Sequence, residues 1–358
     1  MASYLLKLLI ENGHKVFVLS RSKKGKSAQA RISDILQFWD KDILEKAHFR
    51  NFETIEGDIT FPQLGINSES IRQKIISETE IIIHSAALAE LRSPLEDIRK
   101  INVDGTRNVL DFAMECKKDG QLKKTNHIST AFVVGTRKGV NFSENMLQLG
   151  QGFHNTYEQT KYEAELLARD YLKKGLDISI FRPSMVMGDS LEGKTNNFRL
   201  FYEPLHFFSL SIYKEFPADL NCFQNLININ SVAEAMYLLA ERKENRVYHI
   251  VSPEVTTIET LVSVAAGYFG FRMPEFIPFE KFDSAQFTPA QRLLAAPFVP
   301  YFNYNTNFSS SVTQQVLKEY NFSYPKIDKQ NLLRIFAYCS QIGYIRRKRR
   351  FFSFALSR

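Results

Sequence analysis

Glu80-Ile81-Ile82-Ile83-His84, followed by Ser85-Ala86-Ala87, is the stretch on which the fold turns. Three consecutive isoleucines leave no polar face. A strand made of them is covered on both sides, as in a parallel sheet with helices over each face. The same rhythm runs outward in both directions. Toward the N-terminus, 52–57 and Lys15-Val16-Phe17-Val18-Leu19-Ser20 read as strands, with helical patterns at 29–47 and 68–77. Residues 3–12 repeat leucine at helical spacing and stop at Gly13, a favourable C-terminal cap. Toward the C-terminus come a helix at 95–117, a strand at 126–134, a helix at 157–174 and a strand at 178–182. Strands joined by helices through right-handed crossovers predict an α/β fold with a doubly wound parallel sheet.

The rhythm changes near Asp189. Residues 196–222 are rich in phenylalanine and tyrosine, the helix–strand pattern returns at 226–251, and 254–345 reads as helical and again aromatic. The expected organisation is a Rossmann-like, dinucleotide-binding lobe at 1–190 and 226–253. A smaller, mostly helical substrate lobe takes 191–225 and 254–345, and a basic tail takes 346–358. The 30 phenylalanines are mostly core, and a share of them could line an apolar substrate channel.

Of the net charge of +7, six charges sit on Arg346, Arg347, Lys348, Arg349, Arg350 and Arg358, beside Phe351, Phe352 and Phe354. That tail is either a solvated terminus, a nuclear address, or a weak contact for an acidic membrane surface. Nothing else suggests a nucleic-acid partner. Cys116, Cys222 and Cys339 are widely spaced, which fits buried free thiols in a reducing, cytoplasmic compartment. The histidines are scattered without metal-ligand spacing, and no apolar run reaches the ~18 residues of a membrane span.

Chemistry enters with Tyr157 and Lys161, which share one helix face at i and i+4. A lysine ammonium beside a phenol favours the phenolate, so the pair is expected to lower the tyrosine's pKa and make it a proton relay. Alone, the pair also fits an ordinary solvent-facing helix. Upstream, His127-Ile128-Ser129-Thr130 sets two hydroxyls at a strand end. These could hydrogen-bond a substrate carbonyl or simply cap the strand. Downstream, Phe181-Arg182-Pro183-Ser184 gives a proline-fixed loop able to lie beside a flat ring. The small Ser85, Ala86 and Ala87 permit close approach of a dinucleotide. Asp58, in Glu56-Gly57-Asp58-Ile59, offers a carboxylate to an adenine amino group.

Taken together and in this order, these motifs resemble the extended short-chain dehydrogenase/reductases. Residues 182–198, RPSMVMGDSLEGKTNNF, look most like the thioester-reductase and fatty-acyl-reductase branch, also called male-sterility-type proteins. The likeness covers about 1–255, and Ile229-Asn230-Ser231-Val232-Ala233 matches a family segment at the same stage. It implies Thr130 as catalytic hydroxyl, with Ser129 as the fallback, Tyr157 as proton donor and Lys161 as its partner and ribose ligand. Asn102, in Asn102-Val103-Asp104-Gly105-Thr106, matches the family's relay asparagine. The implied activity is NADPH-dependent reduction of an acyl thioester, on coenzyme A or a carrier, or of a related carbonyl. A sterol-type dehydrogenase, a nucleotide-sugar epimerase or dehydratase, and a non-catalytic NADP-binding protein remain open.

The family opens with a strand and a glycine-rich turn whose backbone holds the pyrophosphate. Here Met1-Ala2-Ser3-Tyr4 already lies at the following helix, and Ala2 fits the turn's third glycine position. The first strand and first two glycines are absent, so the expectation is a native product that begins upstream, against a decayed enzyme or a split gene. Cofactor choice is read from Ser20-Arg21-Ser22-Lys23-Lys24. Ser20, Arg21 and Lys24 lie where an NAD site would carry a carboxylate, and arginine suits the 2′-phosphate of NADP(H). A solvated basic turn is the alternative. With Ile59, Pro183 and Ser184 these complete the expected cofactor contacts.

Overall fold

The computed structural model describes residues 1–46 and 51–347, so residues 348–358 of the basic tail lie outside the described residues. Two compact units emerge, the first made of 1–184, 229–251 and 306–324, the second of 185–228, 252–305 and 325–358. The first boundary falls at Ser184 rather than 190, and 306–324 joins the first unit instead of the expected substrate lobe.

The first unit alternates helix and strand. Helix α1 (Ala2–Glu11) leads to β1 (Val16–Ser20), α2 (Ala28–Trp39), β2 (Phe52–Glu56), α3 (Glu69–Glu78) and β3 (Ile81–His84). Helix α4 (Leu95–Arg99) continues through one π-turn, Lys100–Asp104, into α5 (Gly105–Asp119). Strand β4 (Lys124–Ile128), the two-residue β5 (Asn141–Phe142), α6 (Thr156–Lys173) and β6 (Ile178–Pro183) follow. The N-caps obey the expected chemistry: Ser27, Ser68 and Asn155 accept from backbone N–H groups of α2, α3 and α6.

All pairings in the main sheet are parallel. One sheet runs Val247–Ile250, β6, β4, β3; a second contains only β1 and β2. No ladder joins β1 to β3 among the described residues. The described parallel strands of this unit thus form two ladders with a break between them. Side chains span it: Phe17, Leu19 and Ile82 pack on one core with Ile55, Leu110 and Ile180.

Strand β4 ends earlier than expected. Residues 131–134 form a 3-10 turn capped by Thr130, so Ser129 and Thr130 lie just beyond the strand rather than inside it. The strand is polar yet fully buried. Its Lys124 ammonium donates to the carbonyls of Lys243 (3.2 Å) and Glu244 (2.8 Å), and the Asn126 amide to Ala240 (3.0 Å). Those loops, invisible to local periodicity, satisfy what an apolar strand would not need.

In the second unit, the residues 185–187 and 226–228 pair in parallel, as do Glu215–Pro217 and Glu275–Ile277. Regular helix over 254–345 is confined to short pieces; in this unit the longest are Ile258–Phe269 and Lys329–Gln341. The aromatic run is core: Phe208 and Phe216 lie with ring centroids 5.1 Å apart, Phe216 and Phe302 5.0 Å, Tyr213 and Phe287 5.1 Å. The Asp189 carboxylate accepts the backbone N–H groups of Leu191, Glu192 and Lys194, each at 2.8 Å. Gly193, at φ 73°, passes so close to Arg334 that a Cβ would sit 2.4 Å from its carbonyl oxygen. Among the described residues Cys116, Cys222 and Cys339 are buried and form no disulfide. Among the described residues no helix is long and apolar enough to cross a membrane.

Three imidazoles are buried in the first unit. Desolvation lowers His84 to about 3, with Lys161 adding to the effect, and lowers His249 to about 3 with Arg182 adding; His127 shifts down as well, for the same reason. In the unfolded chain each takes up a proton near 6.5. Below that pH the unfolded chain binds more protons than the folded one, so stability is lost as pH falls through about 6.5. Thermal melts from pH 7.5 to 5 are expected to show Tm falling steadily in this window, before carboxylates titrate. A Tm that stays level down to pH 5 would show that these rings are not held neutral.

Candidate functional site

The site is built at the C-terminal ends of β3, β4 and β6, where open α/β sheets bind ligands. Ser129 continues the ladder, its N–H bonding the Phe181 carbonyl at 2.7 Å, and this fixes where Thr130 emerges. The Thr130 hydroxyl donates to the Pro183 carbonyl at 3.3 Å and accepts from the Phe132 N–H at 3.3 Å. Strand-end capping and a site at the sheet's edge are thus the same residue. Ser129 points the other way, donating to Glu165 Oε2 at 2.8 Å.

Tyr157 and Lys161 stand on successive turns of α6. The half-buried Tyr157 hydroxyl has no hydrogen bond to a described residue. The Lys161 ammonium, almost wholly buried, donates to the Ile128 carbonyl at 2.5 Å. The expected drop in the tyrosine's pKa does not occur. Desolvation pushes the phenol up to about 12, with the neighbouring Glu158 carboxylate adding to it, and pushes the Lys161 ammonium down to about 8 against the pull of Glu165. Burial penalises both charged forms, and the ammonium is spent on a carbonyl rather than on the phenol.

Asn102 lies in the π-turn, and its side chain is fully committed. It accepts the Leu88 N–H (2.7 Å) and donates to the Leu88 carbonyl (3.1 Å) and to Thr160 Oγ1 (3.0 Å). It ties the segment after β3 to α6. Its own carbonyl accepts from Thr106 at 2.6 Å, so the Thr106 oxygen is left to accept from His84 Nε2 at 2.9 Å, which fixes that ring's tautomer. Behind them, His127 has no partner on either ring nitrogen, and its centroid is 5.5 Å from that of His84. The sequence reading missed both histidines as site neighbours, because only the sheet register sets them side by side.

The residues expected to bind a dinucleotide form a second group. Ser85 is half-buried while Ala86 and Ala87 are exposed just past β3. A Cβ at Gly105 would lie 2.7 Å from Ile59 Cδ1, so a larger residue there would push that side chain aside. At the ends of β1 and β2, Arg21 Nη1 donates to Asp58 Oδ2 at 2.8 Å. Burial opposes ionisation of Asp58, but hydrogen bonds from Thr60 and Arg21 hold its carboxyl below the ordinary value. Two residues expected to serve separate parts of a cofactor therefore meet each other. Arg31, on α2, was not singled out in the sequence. It reaches Ser20 Oγ at 3.5 Å and also the Arg21 carbonyl, which brings a second guanidinium to that turn. Lys24 occupies the tip of the turn at φ 51° and is exposed. Ala2 opens α1 and is exposed. Next to Pro183, Ser184 carries a buried hydroxyl without a partner, the kind of orphan a bound polar ligand would satisfy. Small exposed residues and an unmet buried hydroxyl fit a bound dinucleotide.

The male sterility protein family profile matches residues 1–236. Among curated proteins, the fatty acyl-CoA reductase wat of Drosophila melanogaster is 30% identical over 48% of this chain and 38% of its own length. The probable fatty acyl-CoA reductase 4 of Arabidopsis thaliana is 27% identical over 71% of this chain and 65% of its own. The chain thus spans less than two thirds of either relative. Among solved structures, the terminal R domain of the myxalamid PKS-NRPS pathway superposes with a TM-score of 0.81 at 23% identity, covering 97% of this chain and 89% of that one. A thiolation-reductase di-domain from an archaeal non-ribosomal peptide synthetase gives 0.77 at 21%, covering 96% and 73%. With that profile over more than half of its residues, the chain belongs to the male sterility protein family.

Proposed function

We propose that this chain is an NADPH-dependent reductase of an acyl thioester, carried by coenzyme A or a carrier protein, or of a closely related carbonyl. The observation that carries the reading is the family match over residues 1–236 together with Lys161, one turn beyond Tyr157, reaching the Ile128 carbonyl beside Ser129 and Thr130. Burial raises the Tyr157 phenol above its ordinary value, so it rests protonated in the physiological range and has a proton to give. Reduction of a carbonyl is the direction that needs a donor. The names of the fatty acyl-CoA reductases similar to this chain favour a thioester as the carbonyl compound.

NADPH, when bound, supplies the hydride. Thr130 turns its hydroxyl from the Pro183 carbonyl toward the substrate oxygen, and Tyr157 passes its proton to that oxygen as negative charge develops there. Lys161 lends the positive charge that steadies the phenolate left behind. With its side chain committed to Leu88 and Thr160, Asn102 acts by holding α6 against the loop that follows β3. Arg21 and Arg31 would hold the 2′-phosphate by charge and by their planar donors, and the unpartnered Ser184 hydroxyl would donate to the cofactor.

Tyr157→Phe is expected to lower kcat for NADPH-linked thioester reduction by roughly 10²–10⁴-fold, with NADPH binding unchanged in calorimetry. Retention of most of the activity would remove Tyr157 from the proton-donor role. In a separate titration, NADPH is expected to bind more tightly than NADH. The double substitution Arg21→Ala, Arg31→Ala should weaken NADPH by about ten-fold or more and leave NADH unaffected. Equal affinity for the two cofactors in the wild-type chain would make this turn a solvated loop and not a phosphate reader.

A further inference from the structure

We propose that Glu165 is a positioning residue of the reaction: one helical turn beyond Lys161, it supplies the counter-charge for that ammonium and anchors the Ser129–Thr130 segment. The proposal rests on the reductase reading and goes beyond it. Glu165 and Arg182 have no exposed surface. The carboxylate receives Arg182 Nε on Oε2 (2.9 Å), Arg182 Nη2 on Oε1 (2.6 Å), Arg169 Nη2 on Oε1 (3.0 Å) and the Ser129 hydroxyl on Oε2 (2.8 Å). Arg182 is oriented in turn by two partners. Its Nη2 also donates to the Met146 carbonyl at 2.8 Å, and its Nη1 donates to His249 Nε2 at 3.0 Å. Because His249 Nε2 accepts, its Nδ1–H donates to the Ser309 carbonyl at 2.8 Å. The guanidinium stacks over the Phe142 ring, 4.8 Å from its centroid.

A pair serving stability alone needs only to satisfy itself. This one does two further things. It holds the serine that immediately precedes Thr130, so the direction in which Thr130 leaves β4 is set from α6. It also puts a negative charge on the helix face that carries Lys161, at i and i+4. The groups facing Lys161 from other elements are His84 on β3 and His127 on β4, and both stay neutral because burial depresses them. On its own helix, Tyr157 is neutral, and the Glu158 carboxylate is engaged by the His154 N–H at 2.9 Å and by its ring at 3.0 Å. Glu165 therefore opposes the desolvation that lowers the lysine to about 8. Arg182 keeps the carboxylate ionised: burial would raise Glu165, and the charge and hydrogen bonds of Arg182 outweigh it.

The test uses the full chain as wild type, as Glu165→Gln, and as the double variant Glu165→Gln, Arg182→Met. The single variant leaves Arg182 buried without its anion and could fail to fold. The double variant removes both charges and keeps the volume, a change that buried pairs tolerate. Two readouts apply. Carbon-13 NMR of the lysine Cε resonances, with Lys161 assigned from Lys161→Arg, follows the titration of the ammonium without any need for turnover. The pH profile of kcat and KM for NADPH-linked reduction of an acyl thioester follows the reaction.

Lys161 in the wild type is expected to titrate near pH 8. In the folded double variant it should titrate at lower pH, with the alkaline limb of kcat moved the same way and kcat reduced about ten-fold or more. An unchanged Lys161 midpoint with unchanged kcat in the folded double variant would overturn the proposal and leave the pair purely structural. A wild-type protein whose Lys161 responds to Glu165 as stated but which reduces no thioester would count against the activity reading and for the Glu165–Lys161 coupling.

Discussion

An arginine with no exposed surface must be answered, and the end of the sheet is arranged around the carboxylate that answers it. Glu165 meets Arg182 through both oxygens. Because the guanidinium fork is planar and rigid, this fixes the rotation of α6 about its axis relative to the end of β6. The remaining donors of Arg182 reach Met146 and His249, so the loop after β5 and the strand Val247–Ile250 take their positions from the same group. Removing one partner of such a pair typically costs about 3–5 kcal/mol, a large share of a domain's ~5–15 kcal/mol. Stability and placement of Thr130 are thereby carried by the same atoms.

Desolvation sets the chemistry above that pair. It pushes every titratable group toward its neutral form: Tyr157 up, Lys161 down, His84 and His127 down. The outcome differs by group because the starting values differ. A phenol moved upward becomes more securely protonated, whereas an ammonium moved down to about 8 is brought close to physiological pH. The Lys161 ammonium is thus the group whose charge burial brings nearest to physiological pH, with Glu165 opposing that shift. The sequence reasoning that Lys161 would acidify Tyr157 treated the pair as if it stood in water.

Much of the fold was legible because it rests on local pattern. The isoleucines of β3 and the alternation of apolar runs with helical spacing gave the parallel sheet, and the positions of α3, α5, α6, β1 and β6 agree with their reading within a few residues. What local pattern could not give is tertiary. Strand β4 is polar, and its Lys124 and Asn126 are satisfied by loops more than a hundred residues away in sequence; its end was therefore placed too late. Residues 306–324 carry a helical pattern that says nothing about which unit they join. They join the first, where Ser309 accepts from His249 and Thr313 donates to Glu144. Of the site, the motifs themselves were visible. Glu165, Arg31 and the two histidines were not, since each owes its place to register or to a partner on another element.

The break in the sheet bears on how a dinucleotide site can hold together. Strands β1 and β2 pair with each other and with no third strand among the described residues. The turn that carries Arg21 is therefore not attached to β3 and β4 by a ladder. Two other links serve instead. Phe17 and Leu19 share a core with Ile82, and helix α1 is fixed through His14, whose Nε2 lies 3.1 Å from the Tyr237 hydroxyl on the helix Ile229–Leu239. Side-chain packing is less exacting than a ladder about position along a strand, because no hydrogen-bond register fixes it. The ion pair between Arg21 and Asp58 then acquires a purpose beyond its modest strength as a partly exposed bridge. It ties the ends of β1 and β2 to each other through Arg21 and Asp58.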